Sequence, residues 1–429
     1  MQLSVADTGW SYIILVSSFC GQMITGGFYY AVGVIHIATL DRFDEDVGKT
    51  SWASSLYMSL TTLTGVLASA FINMYSCRVT MIIGSIFMTV GFIICAFVQS
   101  LDLVIIFFGG IVGFGAGLCY LTSAVIIGFN FNKRRNMASG ISASGVGVGV
   151  FILAPLIESA REEYGSSGFF FILAGVALHC AIFGCLFFPS ELEVNSSKQI
   201  NNRNNVLSRK SNILNNVFQS FKIIRHKPLF CFCVSMFFAS FGISLVSVHF
   251  PNYAKENGAS ASTVSVLLSL NGISSCVSRT LAGIATHNNE INEMILYFGT
   301  FGLLGISTML FPLFAYTYEG QVVYAVILGL YSGCFNSVIN TIIIKLVGIG
   351  DLATGYGMTL FFYGIGSLIG APIAGTIIDF AGSYGSSFLL AGSCITMSAL
   401  LGIATQCFKR TGQDNTEAPI PTVAEMVII

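Results

Sequence analysis

Twelve apolar runs, each long enough to cross a bilayer, constrain this chain more than any other feature. The first six fall at about 11–38, 52–72, 79–99, 102–127, 137–158 and 168–188. The last six fall near 229–250, 261–286, 294–315, 321–345, 354–378 and 385–407. About 20 apolar residues suffice to traverse the hydrocarbon core as a helix. Between the two sets lies one hydrophilic stretch, Pro189 to Pro228. Composition agrees: 54% of the residues are hydrophobic and only 9% are charged, with a mean hydropathy of +0.79. A soluble domain carries about 25% charged residues, so this chain cannot cover itself in water. The reading is an all-α membrane protein of twelve transmembrane helices. Residues 1–188 form an N-terminal six-helix bundle, 189–228 a linker, 229–408 a C-terminal six-helix bundle and 409–429 a tail.

Several function classes drop out at this level. A net charge of −1 argues against a nucleic-acid partner. Most of the twelve cysteines, such as Cys95, Cys119 and Cys180, lie inside apolar runs and read as small buried hydrophobes. They suggest neither a metal site nor a disulfide framework. No His-Glu-x-x-His or Gly-x-Ser-x-Gly pattern points to an embedded enzyme, and no cofactor is called for. The first apolar run lacks a basic lead-in and a small-residue cleavage site, so it reads as a retained span.

Lys and Arg set the orientation. With the N-terminus inside, fourteen of the nineteen basic residues fall on the inner side and four outside, Arg42, Lys49, Arg161 and Lys255. That bias places both termini in the cytosol. In the linker, Val206, Leu207, Lys210, Ile213, Leu214, Val217, Phe218 and Phe221 recur at helical spacing. They suggest an amphipathic helix on the inner leaflet, with a loose tether as the alternative.

The halves repeat. Met137-Ala-Ser-Gly140 returns as Leu352-Ala-Thr-Gly355, Ala154-Pro-Leu156 as Ala371-Pro-Ile373, and Tyr164-Gly-Ser-Ser167 as Tyr384-Gly-Ser-Ser387. Gly113 and Gly117 match Gly329 and Gly333. Six-span repeats of one orientation mark the major facilitator architecture, two pseudo-symmetric bundles with a solute site between them near mid-membrane.

Charges inside spans are costly and are functional candidates by default. Arg279, in span eight, is the clear case. Its planar guanidinium is suited to holding a carboxylate through two parallel hydrogen bonds. Snorkelling to the inner interface or capping helix carbonyls is the competing reading. Asn271 and Ser275 precede it by eight and four residues, so all three share a face. Asn336 and Asn340 form a similar pair in span ten. Both sets read as cavity lining or as interhelical glue. Gln22, Tyr29 and Tyr30 in span one are weaker candidates. His36, His179 and His249 stand singly and read as packing.

Three motifs resemble signatures of the monocarboxylate transporters. Asp7-Thr-Gly9-Trp10-Ser-Tyr12 is similar to the Asp-Gly-Gly-Trp-Gly-Trp run that leads into span one of that family. Phe131-Asn-Lys133-Arg134-Arg135-Asn-Met-Ala138-Ser-Gly140, continuing to Ser144-Gly145, resembles its second signature between spans four and five. Asn73-Met-Tyr75-Ser-Cys77-Arg78 is similar to its loop after span two. The second signature departs at Asn130, Met137, Ser142 and Val146, where the family has Tyr, Leu, Ala and Ser. The resemblance implies a plasma-membrane carrier of a small organic anion working by alternating access. Arg279 would bind the solute, helped by Asn271, Ser275, Asn336, Asn340 and Tyr30. In the carrier reading Lys133, Arg134 and Arg135 help form an inner gate, and the resemblance implies that a single-span accessory glycoprotein can accompany such a carrier.

Two departures bear on coupling. Proton-coupled members carry an Asp four residues before the Arg and a Lys in span one; here Ser275 and Val34 stand at those places. Neither can take up and release a proton with the solute. The alternative readings are therefore a proton-independent facilitative carrier of an amino-acid-like or creatine-like solute, or a non-transporting sensor on the same fold.

Overall fold

In the computed structural model the apolar runs form twelve helical rods, and the rest of the fold follows from how they are interrupted. The structure describes residues 7, 9–43, 47–198, 221–286, 291–381 and 384–414. The first rod, α1, is Gly9–Tyr30 continued by Val32–Phe43, and α2 is Val47–Leu63 continued by Gly65–Met74. Next come α3 (Cys77–Phe97), α4 (Leu101–Asn130, π-helical over Ile105–Val112), α5 (135–164) and α6 (166–185). The second half holds α7 (Lys227–Glu256), α8 (Ala261–Ala285), α9 (Glu293–Leu310), α10 (Tyr318–Val347), α11 (Leu352–Ala381) and α12 (Tyr384–Asp414). Among the described residues, ten helices are long and apolar enough to cross a membrane, and the bent pair in α2, 42° apart, makes an eleventh. The twelfth is α8, whose polar face carries Arg279.

Local chemistry punctuates the rods. Ser76, Ser260, Asn292 and Thr317 each accept a backbone N–H at the start of α3, α8, α9 and α10, satisfying donors that have no partner within the helix. Pro228 lies in the first turn of α7, where its missing N–H costs nothing. The α5–α6 junction turns on Gly165 at φ 70°, a left-handed value that a side chain would resist. This is the glycine of the repeated Tyr-Gly-Ser-Ser motif. At the far end of the bundle Arg42 donates to the carbonyls of Cys95, Ala96 and Val98, closing the C-terminus of α3.

Within the first half, α1 packs on α5 through glycines. A Cβ on Gly145 would strike the Phe19 carbonyl, and one on Gly149 the Met23 carbonyl. The two halves meet along two crossings of the same kind, α5 on α8 and α2 on α11. A Cβ on Gly140 would lie 2.7 Å from the Arg279 carbonyl and 3.0 Å from Gly283 Cα. A Cβ on Gly65 would lie 2.8 Å from the Gly357 carbonyl. Position 357 is 217 residues after 140, and 283 is 218 after 65, so one crossing is the repeat of the other. The structural counterpart of Gly140 at this contact is thus Gly357, two residues beyond the sequence match to Gly355, which instead meets Ile343 and Val347 of its own half. Small residues allow such close approach in lipid, where packing and not water drives helix association.

The linker reading is resolved only at its ends. Residues 191–198 form a helix docked on the first half: Ser190 Oγ donates to the Phe129 carbonyl, and the buried Glu193 carboxylate accepts the Cys77 N–H at 2.7 Å, over the start of α3. The amphipathic stretch from Val206 to Phe218 lies outside the described residues.

A Gly140→Val replacement should force α5 off α8. We expect a lower melting temperature in detergent, by an overpacking cost of about 1–3 kcal/mol. Gly175→Val, on an open face with no atom within 4 Å of the new Cβ, should leave melting unchanged. Equal melting of the two variants would show that the crossing is not tight.

Candidate functional site

One cavity dominates the centre of the molecule. Its volume is about 200 Å³, and α1, α2, α4, α5, α7, α8, α10 and α11 line it, four helices from each half. Arg279 is the one charged side chain among the described residues of its wall. The end nearer the termini is buried, with Arg279 4%, Tyr356 2% and Ile339 1% exposed. Toward the other end Tyr30 is 54% and Leu268 47% exposed. The cavity is therefore closed on the terminus side and opens away from it.

Arg279 lies six residues before the last helical residue of α8, about 9 Å along the axis. Its Nε donates to Ser275 Oγ at 3.2 Å and its Nη1 to the Ala143 carbonyl of α5 at 3.1 Å. A guanidinium has five N–H donors, so three are left for a ligand. Its backbone carbonyl accepts from Ser337 Oγ of α10, so α5, α8 and α10 all fix its place. It neither snorkels nor caps a helix end.

The sequence candidates separate once placed. Asn271, Ser275, Asn336 and Tyr30 line the main cavity, as does Tyr29. The amides of Asn271 and Asn336 have no hydrogen-bond partner among the described residues. Asn340 does not join them. It is 2% exposed, and its Nδ2 donates to the Ala124 carbonyl at 2.8 Å and to Ser139 Oγ at 3.3 Å, both in the first half. It is a tie between halves; its Oδ1 is buried without a hydrogen-bond partner, and the residue lines a second, small cavity together with Gln22, Ser139 and Asn336. Four residues move a side chain along the helix by about 6 Å, enough to carry Asn340 past the cavity floor.

The basic cluster also departs from expectation. Asp7 Oδ2 accepts the backbone N–H groups of Asn132 and Lys133 at 3.1 and 3.0 Å. Arg134 donates to Tyr12 Oη at 3.0 Å, and Arg135 to the Phe131 carbonyl at 2.9 Å. Trp10 Nε1 donates to the Leu186 carbonyl at 3.2 Å and its ring meets Phe188 edge-on. Gly9 opens α1 beside them. The two signatures thus fold onto each other inside the first half. Among the described residues the hydrogen-bond partners of Arg134 and Arg135 all belong to that half, so these two side chains brace one bundle.

The bridge is made one residue later. Asn136 Nδ2 donates to the Thr286 carbonyl at 2.9 Å and to Glu293 Oε1 at 3.1 Å, and its Oδ1 accepts from Thr341. Lys345 pairs with Glu293 Oε2 at 2.5 Å. Asn73 Nδ2 donates to Thr354 Oγ1 at 2.9 Å on the symmetric crossing, and Ser196 Oγ to the Gly350 carbonyl at 2.7 Å. The Asn136, Asn73 and Ser196 contacts join the halves on the terminus side, below the cavity floor, while the Lys345–Glu293 pair lies within the second half. Sequence reading missed Asn136, because a polar residue after three basic ones reads as loop. It also missed Tyr120, Tyr356 and Tyr363, since Tyr in a membrane helix usually marks the interface. His179 is exposed and bonds its own helix, and His249 packs on Tyr384; neither lines the cavity.

Two six-helix halves around a central cavity that is sealed at one end make up the architecture of a secondary transporter. The sequence matches the family model described as Major Facilitator Superfamily over residues 14–317 and 232–422. It is 27% identical over 418 residues to monocarboxylate transporter 12 of Xenopus laevis, covering 93% of this chain and 89% of that one. Against monocarboxylate transporter 4 of Gallus gallus it is 26% identical, covering 92% and 82%. Among solved structures it resembles the fucose transporter FucP (TM-score 0.70, 15% identity, 92% of this chain and 99% of that one). It also resembles the proton:xylose symporter XylE (TM-score 0.69, 13% identity, 92% and 95%). The chain belongs to the major facilitator superfamily, as a multi-pass membrane transporter related to the monocarboxylate transporters.

Outside the spans, burial pushes the Glu193 carboxyl above its ordinary value of 4.5, against the opposing bond from Cys77 N–H. A raised folded value means that the folded state holds the proton over a pH range where the unfolded chain has lost it. The contribution to stability is full below pH 4.5 and is lost as pH rises through the folded value. Melting of the detergent-solubilised protein should fall across that window, and Glu193→Gln should flatten the slope. An unchanged slope in Glu193→Gln would assign the pH dependence elsewhere.

Proposed function

We propose that the protein is a plasma-membrane carrier of a small organic anion, with both termini cytoplasmic and Arg279 as the carboxylate anchor. The observation that carries this reading is a lone buried guanidinium on the floor of a cavity shared by both halves, with three N–H donors unspent. A carboxylate arriving there meets a paired donor fork in a low-dielectric site. Asn271, Asn336 and Tyr30 are placed to read the rest of the solute, and Ser275 orients the guanidinium. Transport is alternating access, the halves rocking about the α5–α8 and α2–α11 crossings.

Ser275 shapes the coupling. A carboxylate at that position would neutralise Arg279 and have to be displaced or protonated when the solute binds. A serine leaves the full positive charge for the solute and offers no proton site. The carrier therefore works as a proton-independent facilitator. In proteoliposomes, uptake should follow the solute gradient and not respond to an imposed pH gradient. Arg279→Ala should lower kcat/KM by roughly 30- to several-thousand-fold, matching about 2–5 kcal/mol for removing one partner of a buried charge pair. Near-normal uptake by Arg279→Ala would end the carboxylate assignment. Uphill, pH-driven uptake that requires Ser275 would end the facilitator assignment alone.

The Asn136 hub and the Glu293–Lys345 pair act as the terminus-side gate in this cycle. Removing the hub should shift the population toward opening on that side. In a cysteine-free background with Ser139→Cys as reporter, Asn136→Ala should speed labelling by an impermeant maleimide applied from the terminus side. Unchanged labelling would move the gate elsewhere.

A further inference from the structure

We propose that the preferred solute is an aryl monocarboxylate, a planar ring bearing one carboxylate and no second charge; this rests on the carboxylate reading of Arg279. Six aromatic side chains line the cavity: Tyr29, Tyr30 and Tyr120 from the first half, and Phe335, Tyr356 and Tyr363 from the second. They are distributed over α1, α4, α10 and α11, so a solute held on Arg279 is faced by rings from both bundles. Phe335 and Tyr363 lie within 27° of parallel with centroids 6.4 Å apart, while Tyr29 and Tyr30 meet edge-on at 5.2 Å. Ring faces and edges presented from two sides match the electrostatics of a third ring, which prefers offset-stacked and edge-on neighbours.

Size points the same way. An apolar cavity of about 150 Å³ accepts one benzene molecule. At about 200 Å³, this cavity has room for such a ring together with a carboxylate. A three-carbon acid would leave most of the aromatic wall untouched. Charge then narrows the class. No Asp or Glu lies among the described lining residues, so an ammonium group would find no counter-charge beside an already cationic Arg279. A plain aryl acid fits where an aromatic amino acid does not.

The test is a proteoliposome uptake panel with phenylacetate, indole-3-acetate, L-lactate, L-phenylalanine and 2-phenylethanol, on the wild-type protein and on Phe335→Leu, Tyr363→Leu and Tyr363→Phe. The expected result is a kcat/KM for the two aryl acids about tenfold or more above that for lactate, with phenylalanine and phenylethanol poor. Both leucine variants should bring the aryl-to-lactate ratio toward one, while Tyr363→Phe keeps it. If a leucine variant does not fold, the wild-type protein still decides: phenylacetate should raise its melting temperature in detergent at concentrations where lactate does not. Lactate carried as well as the aryl acids overturns the aryl preference and leaves the carboxylate carrier standing. Phenylalanine carried as well as phenylacetate overturns the single-charge limit. Failure of every carboxylate, with Arg279→Ala indistinguishable from wild type, removes the carrier reading itself.

Discussion

A guanidinium held in the middle of a membrane protein is the interaction on which the central architecture depends. Placing an Arg at the middle of a span costs about 2.5–3.5 kcal/mol by insertion scales, so it must be wrapped by polar groups or by water. Here Ser275 and the Ala143 carbonyl take two of its donors, and the cavity takes the rest. Because Ala143 is on α5 and Arg279 on α8, the same bonds tie the two halves together. Gly140 brings the α5 backbone against the Arg279 carbonyl, close enough for this reach. The charge, the cavity and the α5–α8 crossing form one unit.

The second crossing repeats the geometry without the charge. Gly65 and Gly357 meet as Gly140 and Gly283 do, and Asn73–Thr354 ties α2 to α11 where Asn136 ties α5 to the Thr286 carbonyl at the end of α8. The α5–α8 side adds the Glu293–Lys345 pair. The pseudo-two-fold symmetry thus pairs the two crossings, while asymmetric polar groups set one apart from the other. Among the described residues, closure below the cavity rests on hydrogen bonds from the neutral Asn136, Asn73 and Ser196, one of them to the Glu293 carboxylate that Lys345 of the same half pairs with. Such contacts hold a state firmly and release it without exposing several charges to lipid.

Much of the fold was legible because hydropathy is a sum over some 20 residues and tolerates local error. The twelve spans and the six-plus-six division follow from it, and the repeated glycine motifs marked the symmetry. Arg279 was legible because its cost in lipid demands a reason. Asn340 shows where this style of reading stops. Its spacing from Asn336 is that of a shared face, yet it lies beyond the cavity floor. Spacing defines a face but not a depth. The aromatic wall was hidden for another reason: its six rings come from four helices in both halves, and no local pattern connects Tyr120 to Phe335 or Tyr363. The mutual embrace of the two signature motifs, Asp7 on the loop before Arg134, is equally non-local.

The polar face of α8 also has a bearing on how the molecule is made. Within one 25-residue stretch α8 carries Asn271, Ser274, Ser275, Ser278 and Arg279. Such a segment gains a stable transmembrane position when partners are already present to take its polar face. Its partners are α10, which is synthesised later, and α5, which is synthesised much earlier. A substitution in α5 that removes this contact therefore bears on the seating of α8 in the bundle as well as on transport.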